Sequence, residues 1–280
     1  MKKLIKLGLI TTLLIFTIAG CSNGDKNSSS GVKKIGILQG LEHEALDSAR
    51  DGFIKALEDN GFKDGENISI DIKNAQGDQS NLKTISQKFA SDNIDLGLAI
   101  GTQAAVSLAT ETKAKNIPVM ITAVTSPVEA KLVNDLEQPG TNVTGTSDLV
   151  PDDIQKNLID LMKKLLPDAK NLAIMYNSSE VNSKIQADLF EEFAVEAGYN
   201  VEHKTVTSTN DISQVTESLI GKFDVVYTPS DNTIASAMPN LTSITNDNNI
   251  AVFPAEEGML KGGGLASISI SYYDLGYTTG

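Results

Sequence analysis

The sequence predicts an α/β protein of two similar lobes, each a parallel sheet flanked by helices. From residue 33 onward, short apolar runs alternate with amphipathic helical stretches, the pattern of βαβ units. The same order of elements then recurs in the second half, with matching elements offset by about 130–138 residues. Finally, 280 residues with 40% hydrophobic and 21% charged side chains suffice for two cores of domain size.

The first lobe opens with a strand over 34–39 (KIGILQ). A helix over 45–60 follows, with Ala45, Ala49, Phe53, Ala56 and Leu57 along one face and Gly61 as its stop. Next come a strand over 68–73, a helix over 80–91, a strand over 96–100, a helix over 103–115 and a strand over 118–123. The second lobe repeats this with a strand over 171–176 (NLAIMY), a helix over 182–197 ending at Gly198, and a strand over 200–206. A helix over 212–220, a strand over 224–228, a helix over 233–247 and a strand over 250–254 complete it. A repeat of whole βαβ sets favours two sheets over one continuous sheet, and over a solenoid.

Ahead of the lobes stands an address label. Lys2, Lys3 and Lys6 precede an uncharged stretch from Leu7 to Ala19, too short to span a bilayer, and then Ile18-Ala19-Gly20-Cys21. This resembles a bacterial lipobox, in which Cys21 becomes the lipid-modified first residue of the mature chain. At least two acyl chains on Cys21 would make a stable anchor to the extracytoplasmic face of the cell membrane. Residues 22–31 (SNGDKNSSSG) lack core-forming side chains and read as a tether. The expected organisation is a signal peptide over 1–20, a tether over 21–32, lobes over 33–145 and 146–270, and the start of a crossover helix over 271–280.

Charge narrows the function. The formal net charge is −13, and loss of residues 1–20 removes three lysines and no acid, giving −16. Such a surface does not suit nucleic acid, which requires clustered Lys and Arg. One cysteine excludes an internal disulfide, and with two histidines it leaves no metal cluster. Catalysis finds no Gly-x-Ser-x-Gly elbow, and Gly262-Gly263-Gly264 lacks the Lys-Ser/Thr of a phosphate loop. No enzyme activity, cofactor or metal is expected.

In open parallel sheets, ligands sit beyond the carboxyl ends of the strands. The residues there are small, polar or glycine: Gln39-Gly40, Gly101-Thr102-Gln103, Ala123 to Ser126, Asn177-Ser178-Ser179, Ser230-Asp231-Asn232 and Glu256-Glu257. Several open helices, whose free N–H groups favour a carboxylate. Asp231 reads both as partner of a ligand ammonium and as N-cap of the helix near Thr233. Glu256 reads as a second ammonium partner or as a solvated loop carboxylate. His43 lies in the loop after the first strand, either structural or facing the cleft. Asn182 and Ser183 could cap their helix or touch ligand, and Thr125-Ser126 before Pro127 could hold a carboxylate. Gln39, Thr102, Asn177, Ser178 and Asn232 complete the candidate set.

Seven segments together resemble the substrate-binding lipoproteins of ABC importers, in the branch linked to tryptophan and tyrosine uptake. They are LEHEALDSARDGF (41–53), NAQGDQSNL (74–82), ITAVTSPVEAKLV (121–133), PGTNVTGTSD (139–148), YNSSEVNS (176–183), TPSDNTIAS (228–236) and SYYDLGY (271–277). The resemblance implies a two-lobed periplasmic-binding-protein fold, type I-like, that closes on an amino acid and delivers it to a permease with a cytoplasmic ATPase. Family members look longer after the last segment, so the chain is expected to be truncated at Gly280. Crossovers between lobes are expected near 144–151 and 267–271. A surface adhesion or ligand-sensing lipoprotein of the same fold is the alternative.

Overall fold

The computed structural model describes residues 31–280; the signal segment, Cys21 and most of the tether lie outside the described residues. Four strands of the first lobe alternate with helices in the predicted order: β1 (Lys33–Gln39), α1 (Glu44–Asp59), β2 (Ile68–Asn74), α2 (Gln79–Ser91), β3 (Leu96–Ile100), α3 (Thr102–Thr112) and β4 (Val119–Thr122). A short strand, β5 (Val143–Gly145), closes the sheet, whose order is β2-β1-β3-β4-β5, all parallel.

The chain then enters the second lobe through α4 (Asp152–Leu165), followed by β6 (Asn171–Asn177), α5 (Val181–Glu196), β7 (Asn200–Val206), α6 (Ile212–Glu217) and β8 (Val225–Thr228). Next come α7 (Asn232–Ser236), α8 (Met238–Asp247), β9 (Ala251–Pro254) and α9 (Glu257–Lys261). This sheet is also parallel, in the order β7-β6-β8-β9. Each sheet reverses its winding beside its first strand, between β1 and β3 and between β6 and β8, and a ligand crevice opens at such a reversal.

Both faces of each sheet are covered, which is why the strands read as nearly unbroken apolar runs. Leu38, Ala99 and Ile121 pack under α2 and α3 with Leu82, Phe89 and Leu108. Their strand neighbours Ile35, Ile37, Leu98 and Ile100 turn the other way, onto Ala49 and Phe53 of α1. In the second lobe, Leu172 and Ile174 meet Phe190 and Met162, while Ala173 and Met175 meet Ile212 and Leu241.

Parts of the structure depart from the sequence reading, β5 and α9 among them. The single helix expected over 233–247 is two, broken at Ala237 with Pro239 in the first turn of α8. Proline has no N–H for the preceding turn and cannot continue a helix through that point. Helix α4 occupies a segment where the sequence reading expects no element, although Ile154, Leu158, Ile159, Met162 and Leu165 recur at helical spacing. Helix α10 (Tyr272–Thr279) lies on the first lobe, against α1.

Candidate functional site

The carboxyl ends of both sheets face each other, and side chains from the two lobes meet there. His43, just before α1, donates from Nε2 to Asn232 Oδ1 at 3.1 Å. The proton is placed by Asn232, whose amide nitrogen is committed to Glu180 Oε2 at 2.6 Å, so that its oxygen faces the ring. His43 Nδ1 is then an acceptor without a partner, 3.8 Å from the equally unpartnered Glu256 Oε1. Burial lowers the His43 pKa, keeping the imidazole neutral, and burial together with the neighbouring Asp148 raises that of Glu256 well above its usual range.

Asp231 is also buried, but its oxygens are taken. Oδ1 accepts from Ile234 N–H at 2.8 Å as the N-cap of α7, and Oδ2 accepts from Asn177 N–H at 2.7 Å. Burial and the adjacent Glu180 charge push its pKa up to about 7. Glu180, which the sequence reading did not single out, holds the N–H groups of Asn232 and Thr233 at 3.0 and 2.9 Å. It lies some fifty positions upstream of that helix, so no local spacing announces it.

Two more buried polar atoms lack partners in this cleft: Thr102 Oγ1 and Asn182 Oδ1. Thr102 opens α3 after Gly101, whose φ of +92° permits the abrupt strand-to-helix turn. Asn182 lies in the first turn of α5, where its Nδ2 donates to the Ser230 carbonyl at 3.0 Å. Both residues line a cavity of about 580 Å³ with Gln103, Val106, Ala130 and Val181. A second cavity of about 380 Å³, lined by Gly40, Thr102, Asn177, Glu180 and Asn232 among others, continues between the lobes. The first-turn N–H groups of α3 and α5 thus reach the cleft from opposite lobes.

The remaining candidates are placed as follows. Thr125 is buried and bonded to Asp148 and Gln186. Ser126 is half-buried, and its carbonyl accepts Ala130 N–H. Ser183 Oγ donates to the Ser230 carbonyl at 3.2 Å. Asn177 Nδ2 donates to Thr233 Oγ1 at 2.8 Å. Gln39 points back into its own lobe, donating to Leu41 O and Asp47 Oδ1. Ser178 is exposed and bonds Val206 O, off the lining of either cavity. Among the described residues, no group of three His, Cys, Asp or Glu could hold a metal ion, and no helix is long and apolar enough to cross a membrane.

Known proteins share this architecture. A protein named Tyrosine-binding protein from Clostridioides difficile (strain R20291) is 45% identical over 288 residues, spanning 100% of this chain and 82% of the relative. The ABC domain from Streptococcus pneumonia in complex with L-Trp superposes with a TM-score of 0.85 at 40% identity, covering 89% of this chain and 83% of that one. The ligand-free, open structure of a substrate binding protein with adhesive properties from Clostridium difficile is 50% identical over 89% of this chain and 82% of that one. Its TM-score is only 0.63. This chain thus superposes better on the L-Trp complex than on the ligand-free, open structure. Residues 34–280 match the family described as ABC transporter substrate binding protein, and the chain belongs to that family.

Proposed function

We propose that this chain captures an aromatic amino acid, tyrosine or tryptophan, between its lobes and presents it to a permease and its ATPase. The observation that carries this reading is the pair of unpartnered acceptors His43 Nδ1 and Glu256 Oε1, 3.8 Å apart and buried. One ammonium nitrogen at about 2.9 Å from each would satisfy both, and its charge would hold the Glu256 carboxyl ionised. Asp231 offers no such free oxygen. Thr102 Oγ1 and the N–H groups opening α3 and α5 suit the carboxylate borne on the same carbon as the ammonium. The cavity of about 580 Å³ that Thr102 and Asn182 line is open and mixed in character, with Val106, Ala130 and Val181 beside Lys83, Glu111 and Glu129, and it extends past the ammonium pair without including it. The names of the two relatives, one for tyrosine and one with L-Trp bound, support the aromatic class.

As a substrate-binding protein of an ABC transporter, the chain works on the extracytoplasmic side of the membrane. Lipidation at Cys21 would tether it there. Binding without turnover suits a cleft whose polar groups converge on holding a charged amine. The adhesive relative keeps a surface role open as a second reading.

A thermal-shift panel of the twenty amino acids with calorimetry tests the ligand. Tyrosine or tryptophan at about 100 times its Kd should add about 2.7 kcal/mol of stability. Glu256→Gln should weaken the response at least tenfold, because the ammonium loses its counter-charge. A response to aliphatic amino acids or sugars, with none to aromatic ones, would overturn the assignment.

A further inference from the structure

Five buried residues on the crossover side of the cleft form a closed ring of hydrogen bonds that unites both lobes and both crossovers. Ser230 N–H, after β8, donates to Gln186 Oε1 on α5 at 3.1 Å. Gln186 Nε2 crosses to the first lobe and donates to Thr125 Oγ1 at 2.9 Å. Thr125 donates to Asp148 Oδ1 at 2.9 Å, in the segment leaving the first lobe. Tyr272, at the start of α10 in the segment returning to it, donates to Asp148 Oδ2 at 2.8 Å, with Ser230 Oγ 3.2 Å from the same hydroxyl.

We propose that Gln186 is a positioning residue for ligand capture, one that sets affinity by holding the lobes together without touching the ligand. Its carboxamide is engaged at both ends, within the protein, and it is 1% exposed, so neither of its polar atoms is left for a ligand. Separating the lobes breaks the Gln186–Thr125 and Tyr272–Ser230 contacts, whereas the Thr125–Asp148 and Gln186–Ser230 bonds stay within their own parts. Part of the cost of separation therefore falls on residues that no ligand has to meet. Apparent affinity scales with the fraction of molecules in the binding-competent arrangement, so loss of this crossing weakens every ligand by one common factor.

The test is Gln186→Leu, of similar size and without polar ends, beside Thr125→Val and the double variant. This choice of probes rests on the amino acid reading above: dissociation constants are measured for tyrosine, tryptophan and phenylalanine. Solution X-ray scattering of the protein without added amino acid is recorded in parallel and needs no ligand, so it decides even where none of the three binds. The expected result is a common loss of about tenfold for all three ligands, the scale of one buried hydrogen bond. Faster dissociation, a larger radius of gyration, and a double variant no weaker than the worse single one should accompany it. A changed ratio between ligands would make Gln186 a ligand contact and overturn the proposal. So would a lowered unfolding temperature with unchanged affinities and scattering, since Gln186 would then serve the fold alone.

Discussion

Asp231 and Glu256 are indistinguishable by local rule, each an acidic residue just past a strand, and the fold gives them different work. Both oxygens of Asp231 are held by N–H groups, while Glu256 keeps one oxygen free beside His43. The sequence left Asp231 open between cap and ammonium partner because a carboxylate serves either purpose at that position. What separates them is partner count: Ile234 N–H is a local partner of Asp231, but the second, Asn177 N–H, comes from far away in the chain. The same limit applies to Gln39, whose place after β1 suggests the cleft but whose amide is drawn to Asp47 on α1. Asp231→Ala should therefore destabilise the fold by about 1–2 kcal/mol through loss of the α7 cap and the Asn177 tie. It should leave the order of ligand preference unchanged, as read by urea unfolding beside calorimetry. A selective loss of amino acid binding with full stability would return Asp231 to the ammonium.

The elements themselves were largely legible, since period and punctuation are local: α1, α2 and every strand of the repeated set lie within a few residues of their expected places. The departures have physical causes of different kinds. A break between α7 and α8 hinges on one proline, which a helix tolerates in its first turn and so does not by itself forecast a break. Strand β5 has three residues and draws its stability from pairing with β4, a contact between segments far apart in sequence. Helix α10 depends on tertiary packing: Gly276 lies directly on the Ala49 carbonyl of α1, and Gly52 of α1 lies under Tyr273. A Cβ at either glycine would drive into the partner backbone. Gly276→Leu is expected to cost about 3 kcal/mol or more and to lift α10 off α1. Amide exchange should then rise along both helices, and ligand affinity should fall because Tyr272 moves with α10. Normal protection in α10 would show that the contact yields without cost.

At the scale of the whole molecule, the site between the lobes gathers buried acids that have no lysine or arginine partner among the described residues, and this ties closure to pH. Asp148, Asp231 and Glu256 all have pKa values raised by burial, Asp231 to about 7. An unfolded Asp or Glu titrates near 4, so between about pH 4 and 7 the native protein binds more protons than the unfolded chain. Stability contributed by these groups is complete below the unfolded value and is lost as pH rises through the native one. His43 acts in the opposite sense: with its pKa lowered, stability is lost as pH falls through its unfolded value near 6.5. Three carboxyls outweigh one imidazole, so the unfolding temperature without ligand should fall from pH 5 to pH 7.5. The surface ion pairs at Asp59 and Asp92 are solvent-screened and weaken only at lower pH. An ammonium ligand replaces the proton on Glu256, so its stabilising shift should grow over the same range. Binding near neutral pH should release a proton, seen as a calorimetric enthalpy that varies with the ionisation enthalpy of the buffer. Glu256→Gln should abolish that release while keeping most of the ligand-free slope, which Asp148 and Asp231 carry. An unfolding temperature that rises from pH 5 to 7.5, with a buffer-independent binding enthalpy, would mean that these carboxyls are ionised in the closed protein before any ligand arrives.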